Sequence, residues 1–365
     1  MHEQEVADQL RSEGVDLIVS LPCDKNKGFT DLIHEEFRVV DVTREEDGVG
    51  ICAGAALMGK RAAISIQSSG LGNMMNALMS LTDCYKLPLV VLASWRGVDG
   101  EKIEAQIPFN SKIPQMLDVY GIHHCEVEGP EDIPRVGDSI REAFGRSEIH
   151  VVLIHPKLWE GAKRVGVTYP PRARSRHIEM DDTVAEPSLT RLQAIRAVMD
   201  CVGDGDIVVS NIGVPSKEVM ASKDRPLNFY MLGSYTQATP IGLGMSLFTD
   251  RRVVVVDGDG SLLGSSIFPV LSGLRPSNLK IVCLDNGTFG STGNQINQAY
   301  ADVNLGAVAE AYGIPRGDAS DREGITRLME GDETFVHVFI VPFNSDSPNI
   351  PYSAAEIRNR FMGAI

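Results

Sequence analysis

The segment Arg251–Gly264, RRVVVVDGDGSLLG, decides the fold. Its four successive valines, Val253–Val256, read as a strand buried on both faces. The run breaks at Asp257-Gly258-Asp259-Gly260-Ser261, and helical spacing follows. A strand that feeds a helix through a glycine turn is a unit of a parallel α/β sheet, and such turns lie at the sheet edge where ligands collect. Gly258 and Gly260 let the backbone come close to an anion, and amides from Ser261 onward can donate to it. Asp259 at the mouth suits a hard cation that neutralises the anion. Two phosphates and one Mg²⁺ satisfy these features together.

Two other readings stand beside this one. A tight βα turn with an exposed aspartate needs no ligand at all. Gly258, Gly260 and Gly264 also form GxGxxxG, and with Asp285 ending the next strand they read as the dinucleotide fingerprint of a NAD(P)-linked oxidoreductase. Against that fingerprint, Asp259 repels a pyrophosphate unless a cation intervenes. The next strand releases Asn286-Gly287-Thr288-Phe289-Gly290 at the same sheet edge, where an Asn286 side-chain oxygen can complete an oxygen cage with Asp259.

Outward from this turn, short apolar runs alternate with amphipathic segments. Leu17–Leu21, Val39–Val42, Ala62–Ile66, Leu87–Ala93 and Val151–Ile154 read as buried strands, with helices at Glu45–Met58, Gly72–Leu81 and Asp132–Phe144. The pattern lapses over Lys163–Pro187, which carries three prolines and little periodic apolar content. It restarts with Ser188 as N-cap of a helix to about Met199, then strands at Ile207–Ser210, Phe229–Leu232, Val253–Val256, Ile281–Leu284 and Phe335–Val341. The expected fold is α/β with two parallel-sheet domains, 1–165 and 188–365, joined by a linker over 166–187.

Composition narrows the partners. The 365 residues are 43% hydrophobic and 23% charged, which is globular material, and the net charge of −15 repels phosphate backbones and anionic lipid. Nucleic acid and membrane are excluded as expected partners, and an anionic small molecule requires a local cluster of donors. Six scattered cysteines lack any CxxC spacing, so neither disulfides nor a zinc site is expected. A polar start, MHEQEVADQLRSEG, and the lack of an apolar stretch of about 18 residues set the expectation of a cytoplasmic protein.

With the turn and the Asn286 loop in place, the sequence resembles the thiamine diphosphate (ThDP) enzymes. Their GDG motif is followed by an Asn-containing loop, and Asp259 to Asn286 spans 27 positions, as in the pyruvate decarboxylase branch. The resemblance implies Mg²⁺ held by the Asp259 carboxylate, the Asn286 amide oxygen and the Thr288 carbonyl, with Gly258, Gly260, Ser261, Phe289 and Gly290 around the diphosphate. Asp285 departs from the Asn of many members. Family members also place a glutamate against the cofactor's pyrimidine ring. In Val39–Gly54, alignment on Gly54 selects Glu45 for that role and leaves Glu46 beside it. Met231–Thr236 occupies the segment that grips the pyrimidine, through Gly233, Ser234 and Tyr235. Tyr235-Thr236 departs from the usual Met, Ile or Leu followed by Gly. The family usually builds its site from two subunits, so at least a homodimer is implied.

The chain lacks the middle domain of the longer members. Gln67–Asn73, Ser94–Gly97 and Ser291–Gln295 look like the sulfopyruvate decarboxylase branch, with two subunits fused, and the phosphonopyruvate decarboxylases come close behind. The implied reaction is decarboxylation of 3-sulfopyruvate to sulfoacetaldehyde, as in coenzyme M biosynthesis. Either substrate is a small 2-oxo acid with a second strong anion. The donors read for it are Ser68, Ser69 and Asn73 at a Gly-rich helix start, Arg96 on the following loop, and Lys25 with Asn26 after Cys23. A protein that binds ThDP with weak or no decarboxylation is the remaining alternative.

Overall fold

The computed structural model describes residues 2–98, 100–159 and 186–365. The chain divides into two compact units, Met1–Arg172 and Ala173–Ile365. Except for its last two residues, the linker expected over 166–187 lies outside the described residues.

In the first unit six parallel strands form one sheet: β1 Leu17–Ser20, β2 Val39–Asp41, β3 Ala62–Gln67, β4 Leu89–Ser94, β5 His123–Val127 and β6 Ile149–Ile154, in the order β2-β1-β3-β4-β6-β5. The order reverses direction between β1 and β3, so the loops after these strands diverge and leave a crevice at their C-terminal ends. The helix Glu45–Leu57 follows β2 and is buried along nearly its whole length. Its small residues, from Gly48 to Ala56, allow that burial against the sheet.

The second unit repeats the scheme. Its strands are β7 Ile207–Ser210, β8 Asn228–Tyr230, β9 Val253–Gly258, β10 Leu279–Asp285, β13 Arg316–Ala319 and β14 Phe335–Phe339, with a two-stranded antiparallel ribbon, β11 Thr288–Phe289 and β12 Gln295–Ile296, after β10. The sheet order is β13-β14-β10-β9-β7-β8, all parallel, and the reversal falls between β7 and β9. All four valines of β9 are fully buried, and each such side chain contributes about 1.5–3 kcal/mol relative to exposure. That burial anchors the turn beginning at Gly258.

Three local expectations are corrected. The helix expected to start from Ser188 is capped by Thr190, whose hydroxyl and the Gln193 side chain form a capping box ahead of Arg191–Asp200. The helix expected at Gly72–Leu81 runs from Gly70 to Ala77 and passes into a π-helical turn, Leu78–Asp83. Two strands of the six-stranded sheets went unread, β5 and β13, each at a sheet edge, and so did the short ribbon β11–β12. The sequences of β5 and β13, HHCEV and RGDA, have no apolar run because an edge strand is only partly covered.

Candidate active site

At the C-terminal ends of β7, β9 and β10 lies a cavity of about 170 Å³. The expected residues Gly258, Asp259, Gly260, Ser261, Asn286, Thr288, Phe289 and Gly290 all line it, and so does Tyr235; Gly233 and Ser234 lie outside its lining. Asp259 begins the short helix Asp259–Gly264 and is buried. Its Oδ2 accepts a 2.6 Å hydrogen bond from Nδ2 of Asn297, a buried residue that the sequence reading missed. The Asn286 side-chain oxygen accepts from the Thr288 amide at 2.9 Å, which folds the loop into an Asx turn and places three expected oxygen donors on one wall.

The electrostatics of this edge are lopsided. Burial, and then the neighbouring Asp285 carboxylate, push the Asp259 carboxyl up to about 6. Asp257 is also buried, held by the Thr239 hydroxyl at 2.7 Å and the Gly258 amide at 2.9 Å, and burial raises it too. Asp285 accepts from the Gly287 amide at 2.9 Å and from Nε2 of the fully buried His337 at 2.8 Å. Nδ1 of that ring accepts from the Gly306 amide at 3.2 Å, which fixes the tautomer with Nε2 as donor. Among the described residues no Lys or Arg pairs with any of these three carboxylates. A hard divalent cation fits this donor set of one carboxylate, one amide oxygen and one carbonyl, and it offsets the surplus negative charge. No group of three His, Cys, Asp or Glu residues suited to a metal occurs among the described residues.

The Tyr235 segment is strained. Ser234 and Thr236 both have φ of +71°, and Tyr235 stands between them. Its ring is 45% exposed, and its hydroxyl donates to the Gly260 carbonyl at 2.6 Å, tying this segment to the GDG turn. Position 235 is therefore held by a hydrogen bond that Met, Ile or Leu cannot make.

In the first unit Glu45 is buried at the start of its helix and accepts from Nδ2 of Asn73 at 3.0 Å. A Cβ at Gly70 would lie 2.6 Å from Glu45 Oε1, so only glycine lets the carboxylate sit over the next helix start. Glu46 is less buried, and Arg44 lies 3.4 Å from it. Burial raises the Glu46 carboxyl, with Arg44 opposing.

The donors read for the substrate converge on the ends of β1, β3 and β4, but most are already engaged. The Ser68 hydroxyl, fully buried, donates to Asn110 at 2.5 Å and accepts from the Arg96 amide at 3.0 Å. Ser69 accepts from Gln67 and lies 3.4 Å from Gln106. Asn73 serves Glu45. Arg96 is the most fully engaged of them: its buried guanidinium grips Glu101 through Nε at 2.6 Å and Nη2 at 3.0 Å, and it meets Asp24 through Nη1 at 2.6 Å. The fork holds the Glu101 carboxyl down at about 2. Arg96 therefore braces the loop and presents no free fork to an anion. Asn26 is buried, whereas Lys25 is exposed and makes no ion pair among the described residues.

Two parallel-sheet units, one ending in a buried Glu45 and the other in an acid-rich GDG turn with an Asn loop, define a thiamine diphosphate enzyme. Family models agree: residues 2–121 match the thiamine pyrophosphate enzyme N-terminal TPP binding domain, and residues 211–334 match the C-terminal TPP binding domain. A sulfopyruvate decarboxylase from Methanosarcina acetivorans is 38% identical over 373 residues, covering 98% of this chain and 96% of its own length. A phosphonopyruvate decarboxylase from Streptomyces viridochromogenes is 33% identical, covering 96% and 92%. Separate alpha and beta subunits of a sulfopyruvate decarboxylase from Methanococcus maripaludis, 35% and 36% identical, match 41% and 48% of the chain and 92% and 98% of their own lengths. The crystal structure of benzoylformate decarboxylase from Polynucleobacter necessarius shares the fold, with a TM-score of 0.74 at 13% identity over 94% of this chain and 99% of that one. The chain belongs to the thiamine diphosphate-dependent 2-oxo acid decarboxylase family, in a compact form with no middle domain. The dinucleotide reading of GxGxxxG gives way to the family's own use of this turn. No helix among the described residues is long and apolar enough to cross a membrane.

Proposed function

We propose that this chain catalyses the ThDP- and Mg²⁺-dependent decarboxylation of 3-sulfopyruvate to sulfoacetaldehyde and CO₂, as in coenzyme M biosynthesis, in the cytoplasm. The observation that carries this reading is 38% identity across 98% of the chain to a sulfopyruvate decarboxylase. When bound, ThDP supplies the carbon nucleophile and the electron sink. This chain's residues bind and orient. Asp259, Asn286 and Thr288 hold the Mg²⁺. Gly258, Gly260, Ser261, Phe289 and Gly290 surround the diphosphate, and Gly233, Ser234 and Tyr235 grip the pyrimidine. Glu45 holds a proton at the pyrimidine ring nitrogen, kept in place by Asn73. Lys25, Asn26 and Ser69 are the donors nearest to service for the anionic substrate, with Ser68, Asn73 and Arg96 supporting them from behind.

The domain assignment goes with this reading: 1–165 is the pyrimidine-binding part, 188–365 the diphosphate-binding part, and 166–187 the join. At least two copies assemble, so that the two kinds of domain meet between subunits. Phosphonopyruvate is the second candidate substrate, supported by the relative at 33% identity. Parallel CO₂-release assays with ThDP and Mg²⁺ test the choice. Faster release from sulfopyruvate is the expected result, faster release from phosphonopyruvate favours the second candidate, and release from neither ends both.

A further inference from the structure

We propose that Arg191 is the cation of the diphosphate cavity, with its Nη1 holding an oxygen of a terminal phosphate. The inference rests on the reading of that cavity as the ThDP site. Arg191 opens the helix Arg191–Asp200, directly after the Thr190 capping box, and is buried. Its Nε donates to Glu218 Oε2 at 2.7 Å, and its Nη2 reaches Glu218 Oε1 at 3.4 Å and Asn344 Oδ1 at 2.8 Å. Glu218 is fully buried, so two nitrogens of the guanidinium are fixed in one plane by a partner that cannot move into water.

The third nitrogen, Nη1, makes no hydrogen bond among the described residues. A Cβ at Gly290 would stand 3.1 Å from it, and Asn344 Nδ2 clamps the Gly290 carbonyl at 2.7 Å. The glycine thus keeps open the space beside Nη1, in a wall shared with the GDG turn. Among the described residues Arg191 is the only Lys or Arg lining this cavity, which also carries Asp257 and Asp259.

A buried ion pair is weak as a stability device, because desolvation offsets its Coulomb attraction. Supplying a positively charged N–H to a cavity that must accept an anion gives the pair a purpose. Lysine cannot replace this arrangement, since its single ammonium would be taken by Glu218, whereas the fork serves the carboxylate and the cavity together. The ligand class is an oxyanion with free terminal oxygens.

Calorimetric titration of the full chain in Mg²⁺ with thiamine diphosphate, thiamine monophosphate and thiamine tests the assignment. Arg191→Lys retains the pair with Glu218. It should bind thiamine diphosphate about tenfold or more weakly, the scale of one charge-assisted hydrogen bond, with monophosphate affinity changed by less than about twofold. Gly290→Ala, which leaves the ion pair intact but fills the space beside Nη1, should lower the same ratio. An unchanged diphosphate-to-monophosphate ratio in both variants, or equal loss of every ligand, overturns the proposal. So does an unchanged ratio with a raised KM for sulfopyruvate, which would give Nη1 to the substrate's anion. If the wild-type protein itself does not prefer the diphosphate, the cofactor reading fails and the proposal fails with it.

Discussion

The loop-bearing edges of the two sheets are built alike and charged differently. At the edge of the first sheet the buried Arg96 is gripped by the buried Glu101 and reaches the half-exposed Asp24, so this cation is met from within the chain. At the edge of the second, Asp257, Asp259 and Asp285 are buried close together, facing amides, a hydroxyl and an imidazole. A cation met by its own neighbours braces a loop. An edge with a surplus of buried charge is completed by something from outside the chain, because an unpaired buried carboxylate is costly.

The comparison breaks most visibly at Asp259. Asp259→Ala and Asn286→Ala should each abolish Mg²⁺-dependent ThDP binding, since each removes an oxygen from a cation that demands near-ideal ligation. Calorimetry showing wild-type affinity in either variant would remove the metal assignment. The pH dependence follows from the same carboxyl. Its value of about 6 lies above the ordinary 3.8, so the folded, cation-free chain binds this proton more tightly than the unfolded chain does. Stability from this group therefore falls as pH rises between those two values, while cation affinity rises through about pH 6. Mg²⁺ titrations at pH 5 and pH 7 check the second statement, and a stronger affinity at pH 5 contradicts it.

On the first sheet, Glu45→Gln should retain ThDP yet lower turnover by about a hundredfold or more, the scale of a lost proton-transfer partner. Glu46→Gln should change turnover little. If Glu46 proves the sensitive residue, the alignment on Gly54 is wrong. The smallest effect is expected at Arg96. Arg96→Lys loses the fork to Glu101 and should lower the melting temperature by a few degrees, for a loss of about 1–2 kcal/mol. The KM for sulfopyruvate should move by less than about threefold. A tenfold rise in KM at unchanged stability would return Arg96 to direct anion binding.

The second sheet's edge was legible because glycine spacing and the Asp259–Asn286 interval are local features of strand and turn. The strands β9 and β10 were legible for the same reason, since both lie at the centre of a sheet and read as unbroken apolar runs. Edge strands β5 and β13 carry no such run. The partner of Arg96 was not legible, because a sequence shows that Arg96 is a cation but not that Glu101, five residues later, folds back onto it. Asn297 and Arg191 were missed for a related reason: Asn297 reaches Asp259 from 38 positions away, Arg191 lines the cavity from the other side of the sequence, and neither lies in the turn that marks the site.

The central claim is that the second sheet's edge is completed by a cation and a diphosphate. Titrating ThDP into metal-free wild-type protein, with Mg²⁺ and then with a chelator, tests it most directly. The account predicts binding with Mg²⁺ and loss of binding with the chelator. Equal affinity in both conditions would show that the buried carboxylates are compensated from within the chain, and would contradict it.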